Sequence, residues 1–254
     1  MKHPIKFGLI KSGLLSVSLL LAIPPVLAGE EKGPYTFKSD TGNVASLQRG
    51  ARDFMNYCSG CHSMKYLRYN RLGKDLGIPE DLLKKNLMFT TEKTGDQINS
   101  SMPTQAGDWF GKQPPDLTLE TSARGAEWVY NYLLTFYLDP KRPTGVNNLM
   151  LANASMPHVL WELQGWQKLA EEKGKEGEGG GEEHGPKFEL AQPGTLKPDE
   201  YQAWVRDLVN FMAYAAAPER AESVAVGKGV LLYLVVFLLP LTYLLKKEYW
   251  KDVH

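Results

Sequence analysis

The chain has 254 residues, with 29 Lys and Arg against 29 Asp and Glu, 43% apolar residues and two cysteines. That length suits one or two domains with a proper core. The balanced charge offers no basic excess of the kind that binds nucleic acid.

The first eleven residues carry Lys2, Lys6 and Lys11 and no acid, and an apolar run from Gly13 to Val26 follows. It closes on Val26-Leu27-Ala28 before Gly29, the pattern of a secretory signal peptide over residues 1–28. Pro24-Pro25 and the short apolar length argue against an uncleaved anchor. Gly29 to Thr41 has no helical period and reads as an extended lead-in. A helix is predicted next, capped by Ser46, with Leu47, Gly50, Ala51, Phe54 and Tyr57 on one apolar face. Glycine in mid-helix costs about 1 kcal/mol against alanine, so Gly50 predicts a close helix crossing.

That helix runs into Tyr57-Cys58-Ser59-Gly60-Cys61-His62-Ser63-Met64. C-x-x-C-H is the attachment signature of a c-type haem. Two thiols one short turn apart can each add to one vinyl group of a porphyrin. The next histidine then lies under the ring with one imidazole nitrogen toward the iron. Cys58 and Cys61 are thus the candidate covalent anchors and His62 the proximal ligand. A zinc ribbon needs a second pair of ligands, and these are the only cysteines. A thioredoxin-like dithiol would sit in an α/β pattern, which is absent around this motif. Haem attachment also leaves no thiol for a disulfide, and it agrees with export.

Between Met64 and Leu72 the segment is aromatic and basic. Tyr66 and Tyr69 are candidates to border the ring, and Arg68 or Arg71 to pair with a propionate; ordinary packing and solvation are the alternatives. Pro79 to Met88 is predicted helical, with Leu82, Leu83 and Leu87 on one side. Thr90 to Pro115 is rich in turn formers and predicts a long surface loop. Its end, Pro114-Pro115-Asp116-Leu117, offers a flat apolar wall. Asp116 or Thr118 is then the expected cap of a helix that includes Ala126 to Leu138. Arg124, near its start, is a candidate propionate clamp, because a guanidinium matches a carboxylate bidentately.

Asp139 to Asn153 reads as a further loop leading to Ala154-Ser155-Met156-Pro157-His158. Residues 171–185 are mostly Gly, Glu and Lys, a composition that predicts a flexible acidic insertion. Pro198 and Asp199 open a last soluble helix whose buried face holds Tyr201, Trp204, Val205, Leu208, Phe211, Met212 and Ala215; Pro218 ends it. From Val224 to Leu245 the only charge is Lys228. About 20 apolar residues cross a bilayer core, so 224–245 is predicted to span a membrane. Lys246, Lys247 and Lys251 beyond it place residues 246–254 in the cytoplasm, with Tyr249 and Trp250 at the interface. Pro240 predicts a kink. Between Gly29 and Ser223, 22 Lys and Arg face 27 Asp and Glu. This negative body would attract a basic soluble partner, or simply aid solubility.

The sixth ligand decides between chemistry and electron transfer: a thioether opposite His62 makes an electron carrier and raises the potential. Met55 and Met64 lie too near the proximal side, and Met212 reads as core. Met102 and Met156 each stand in a loop before a proline, and His158 adds a bis-histidine option. Ligand chemistry leaves these three open.

Arg49-Gly50, the segment from Tyr57 to Met64 with Tyr66, Pro114-Pro115-Asp116-Leu117, Arg124, Pro143-Thr144-Gly145-Val146, Ser155-Met156-Pro157 and Ala215 to Glu219 before one C-terminal span occur here in order. This series resembles the cytochrome c1 family, the c-haem subunits of the ubiquinol–cytochrome c oxidoreductase (bc1) complex, over nearly all of the mature chain. The resemblance implies a mainly α fold, a class I c-type cytochrome-like haem domain (29–223) with long loop insertions and one C-terminal transmembrane helix. It implies Met156 as sixth ligand, Pro115 lining the ring and Arg124 on a propionate. It also implies one-electron transfer from a Rieske iron–sulfur protein to a soluble c-type cytochrome, beside cytochrome b in a dimeric complex. The body would then lie in the periplasm of a bacterial inner membrane, with no catalytic site of its own. The family motif often continues with further prolines where this chain has His158, which stays unassigned. The competing readings are a haem enzyme or gas sensor with an open distal side, and the haem subunit of another respiratory complex such as a nitric oxide reductase.

Overall fold

The structure, a computed structural model, describes residues 33–170 and 187–251. The signal peptide read over 1–28 and the insertion at 171–185 lie outside the described residues, as do the last three residues of the tail.

Among the described residues the first helix, α1 (Val44–Tyr57), is capped by Asn43, whose side chain accepts from the Ser46 N–H at 3.1 Å. Ser46 was the expected cap; its hydroxyl instead donates to Asp207 Oδ1 at 2.6 Å. Short β1 (Met64–Arg68) and β2 (Gln97–Ile98) form an antiparallel ribbon that closes the long loop back onto the signature segment. Between them lie α2 (Tyr69–Asp75) and α3 (Glu80–Leu87). Leu83 and Leu87 of α3 are buried at i, i+4 spacing, whereas Leu82 is exposed, since neighbouring helical residues point about 100° apart.

After α4 (Ala106–Phe110), the predicted single helix is two. Helix α5 (Glu120–Arg124) ends at Gly125, whose φ of +91° only glycine adopts easily, and α6 (Ala126–Leu134) starts afresh. Asp116 caps a turn rather than a helix: its Oδ1 accepts from the Thr118 N–H and hydroxyl. The helix also stops short of Leu138. Residues Phe136–Leu138 are β3, paired antiparallel with β4 (Val146–Asn148). A third ribbon joins β5 (Gly165–Leu169), after α7 (Trp161–Gln164), to β6 (Phe188–Pro193).

Helix α8 (Pro198–Ala216) crosses α1 where Gly50 meets the Asp207 backbone, as the glycine predicts. A Cβ at Gly50 would lie 2.1 Å from the Asp207 carbonyl oxygen. Phe54 and Phe211 pack beside this crossing with ring centroids 5.8 Å apart. Helix α6 lies on the other flank of α8: Tyr201 donates to the Leu133 carbonyl at 3.0 Å, and Tyr130 to that of Gln202 at 3.3 Å. The extended lead-in straps this pair, with Phe37 stacked on Tyr130 and the Asn131 amide bonded to the Tyr35 backbone through both its oxygen and its nitrogen.

Helix α9 (Arg220–Tyr233) continues through a π-helical turn (Leu234–Leu238), α10 (Leu239–Leu244) and a second π-helical turn (Leu245–Tyr249). The 28 residues from Glu222 to Tyr249 are apolar enough to cross a membrane and bury none of their most apolar window against the protein. At 1.5 Å per residue they span about 42 Å, more than the bilayer core of about 30 Å. Pro240 lies two residues past the end of the first π turn; a proline lacks the N–H and crowds the carbonyl four residues back, here that of Val236 within the turn.

Candidate haem site

The signature segment extends α1 by another turn. The Cys58 and Ser59 N–H groups both donate to the Phe54 carbonyl, and those of Cys61 and His62 to the Cys58 carbonyl. This winding turns Cys58, Cys61 and His62 into one cavity of about 360 Å³. Pro114, Pro115 and Leu117 form its wall beside the histidine, Trp128 and Tyr132 of α6 another side, and Leu208 and Met212 of α8 its floor. Met156 and Arg124 also face it.

The proline pair does more than supply a flat wall. The Leu117 N–H donates to the Ser63 carbonyl at 2.9 Å and the Lys65 N–H to Asp116 Oδ2 at 2.8 Å, zipping the two segments together. Their register sets the Pro115 carbonyl 2.8 Å from His62 Nδ1. A carbonyl only accepts, so Nδ1 carries the proton and Nε2 keeps its lone pair free. Desolvation also pushes the His62 pKa below its ordinary value, against the opposing pull of Pro115 and of Glu120 and Asp116, so the ring is neutral and ligand-competent at pH 7.

The two thiols are unpaired. Burial pushes Cys58 up to about 12, with Asp53 and Cys61 adding to the effect, and burial raises Cys61 as well. A redox dithiol or zinc ligand needs the reverse, a stabilised thiolate. Among the described residues no three His, Cys, Asp or Glu side chains gather as a metal cluster. Two neutral thiols, an imidazole with a free Nε2, a thioether and apolar walls form the donor set that a haem fits.

Of the three sixth-ligand candidates, only Met156 faces the cavity. Met102 stays in the long loop, its N–H bonded to the Ser100 hydroxyl. His158 is buried behind the Met156 loop, its ring stacked on Phe136. Met212 is core, as read, yet also lines the floor. Arg124 lines the cavity, rests its guanidinium 4.3 Å above the Trp128 ring and bonds Glu120 through Nε at 2.7 Å. For the residues between Met64 and Leu72 the structure favours packing and solvation over a place beside the ring. Tyr66 is 75% exposed and Tyr69 is core; Arg68 bonds the Gly95 carbonyl and Arg71 pairs with Asp75 and Glu219. None of the four lines the cavity, because β1 leads the chain away from it.

Sequence reasoning missed Asn147 and Asn148, which organise the loop before Met156. Asn147 Oδ1 accepts from the Asn153 N–H at 2.8 Å, where the backbone takes a φ of +62°. Asn148 Oδ1 accepts from Met150 N–H at 2.9 Å, and its Nδ2 donates to the Tyr132 carbonyl at 2.7 Å. A paired asparagine in a loop is the sort of residue that mimics backbone partners, and that was the available signal.

A family model described as the Cytochrome C1 family matches residues 36–175. The chain is 49% identical to cytochrome c1 of Allochromatium vinosum over 95% of its own length and 99% of that protein. It is 43% identical over 85% to a Nitrosomonas europaea protein named ammonia monooxygenase gamma subunit, covering 86% of it. It is 22% identical over 91% to cytochrome b/c1 of Bradyrhizobium diazoefficiens, covering 36% of that longer protein. With the signature turn, the free imidazole nitrogen and the thioether on one apolar cavity, these matches mean that the chain belongs to the cytochrome c1 family, whose members carry a c-type haem.

Proposed function

We propose that this chain is the membrane-anchored one-electron carrier of a bc1 complex. It takes electrons from a Rieske iron–sulfur protein and passes them to a soluble c-type cytochrome, as part of quinol oxidation coupled to proton translocation. In this reading Cys58 and Cys61 would hold a haem through thioether bonds, and His62 Nε2 and the Met156 thioether would supply ligands to its iron. The haem iron supplies the reversible one-electron exchange. Pro115 keeps His62 in the Nδ1–H tautomer and fixes its ring plane. Arg124 presents a guanidinium that suits a propionate, and its stack on Trp128 restricts where that charge can go. Trp128, Tyr132, Leu208 and Met212 exclude water from the cavity. A thioether ligand in such dry surroundings favours the reduced state and raises the potential.

The carrying observation is that His62, with Nε2 freed by Pro115, and Met156 share a cavity with the only two cysteines of the chain. The similarity to a cytochrome b/c1 protein supports cytochrome b as neighbour of the C-terminal helix. Its basic end (Lys246, Lys247, Lys251) supports a periplasmic body and a cytoplasmic C-terminus, and a dimeric assembly is the expectation that the family resemblance carries. The negative body favours a basic acceptor.

Met156→Leu tests the ligand set. It is expected to lower the reduction potential and to let the ferrous protein bind carbon monoxide, which the native protein resists. Rapid binding by the native protein would favour an open-sided haem enzyme or sensor. The subunits of the gently solubilised complex test the assignment to bc1. A b-type cytochrome and a Rieske protein are expected, and ammonia monooxygenase or nitric oxide reductase subunits would refute it.

A further inference from the structure

His158 has no role in the electron carrier described above, yet it is 4% exposed and packed on every side. Its ring lies parallel to Phe136 of β3, with centroids 5.1 Å apart and planes 9° apart, and meets the Trp166 ring of β5 edge-on at 5.8 Å. Nε2 is buried with no partner, a cost that an apolar ring would avoid. Between the upstream bond to Asn153 and this ring, Ser155 and Met156 donate no backbone hydrogen bond among the described residues. Ala154 is buried and donates to the Leu151 carbonyl at 3.2 Å, so Ser155 and Met156, which present the thioether, lean on the anchors to either side. Asn147 grips one end and His158 the other.

We propose that His158 is a positioning residue for Met156: its flat ring, wedged between Phe136 and Trp166, pins the downstream end of the loop to the β-ribbons and so keeps the thioether aimed into the cavity. The proposal rests on the assignment of Met156 as sixth ligand. Two residues is too short a tether for the loop to move at one end without the other. A stacked ring suits this task because its plane resists rotation as well as displacement.

The test uses the full-length, haem-loaded protein in its native membrane complex, with His158→Ala and His158→Phe. Two readouts report the sulfur–iron bond without reporting turnover: the near-infrared thioether-to-ferric-iron absorption followed on warming, and carbon monoxide binding to the ferrous protein. In His158→Ala the band is expected to fade at lower temperature, and carbon monoxide binding to quicken on the order of tenfold, or ~1.4 kcal/mol. His158→Phe keeps the ring and is expected to restore both. Native behaviour in His158→Ala would overturn the proposal, and so would equal damage in His158→Phe, which would assign the role to the nitrogen. If His158→Ala fails to accumulate, Phe136→Leu removes the same stack from the strand side, with the same shifts expected and native behaviour again overturning it. Met156→Leu on the same readouts separates the two claims: a retained band there would sink the ligand assignment itself.

Discussion

Gly50→Ala adds one methyl group at the crossing of α1 and α8. Alanine raises helix propensity by about 1 kcal/mol over glycine, so the isolated helix would gain. In the folded chain the new Cβ would sit 2.1 Å from the Asp207 carbonyl oxygen, 2.6 Å from Phe211 Cβ and 2.8 Å from the Asp207 carbonyl carbon. Restoring ordinary contact requires the helices to part by about 1.3 Å or more. Two of the three atoms are backbone inside α8, which cannot rotate aside. Parting the helices also strips contact from Phe54 and Phe211 and shifts the turn that presents Cys58 and His62. Overpacking of this kind costs about 1–3 kcal/mol, and a backbone collision belongs at the upper end. The net expectation is a loss of about 2 kcal/mol after the gain in propensity. Urea denaturation of the haem-loaded protein, followed by tryptophan fluorescence, measures it. Gly95→Ala, where a Cβ meets nothing within 4 Å, serves as control and should stay within about 0.5 kcal/mol. Native stability in Gly50→Ala would refute the close crossing.

Other substitutions probe the supports around the cavity. Tyr201→Phe removes the buried bond to the Leu133 carbonyl and should cost about 1–2 kcal/mol in the same denaturation assay. Asn148→Ala leaves the Met150 N–H and the Tyr132 carbonyl without their partner; a loss of about 2 kcal/mol and a lowered reduction potential are expected, read by denaturation and redox titration. Asp53 is buried with Oδ2 unpartnered, and desolvation, opposed by Arg52, holds its carboxyl above the ordinary value of 3.8. With the folded pKa raised, the folded state binds the proton more tightly, so this group's contribution to stability falls as pH climbs from 3.8 through the folded value. Asp53→Asn should abolish that decline in a series of melts across pH; an unchanged pH profile would contradict it.

What could be read from the sequence is what depends on short-range chemistry. The spacing of Cys58, Cys61 and His62 carries its own geometry and Gly50 announces a contact by lacking a side chain, while pre-proline loops narrowed the sixth ligand only as far as Met102 and Met156, beside His158. The last two helices follow from apolar periodicity and proline placement, whereas the mainly α haem fold came from the family resemblance. The errors arose where partners distant in sequence decide. Gly125 splits one predicted helix into α5 and α6, and Phe136–Leu138 is strand because β4 pairs with it. Tyr66, Tyr69, Arg68 and Arg71 carry suitable chemistry, but β1 carries them away from the cavity. The Pro115 carbonyl on His62 was also illegible: the proline pair suggested a wall, while its electrostatic role depends on a register set by Ser63 and Asp116.

The central claim is that both sulfurs of the signature turn are spent on one prosthetic group. Extraction of the purified, mature protein with acidified organic solvent tests it most directly, read by colour and by the mass of the polypeptide. The account predicts that the colour stays with the chain and that the mass exceeds the polypeptide's by one haem. A colourless chain of unmodified mass, with the pigment free in the solvent, would contradict it.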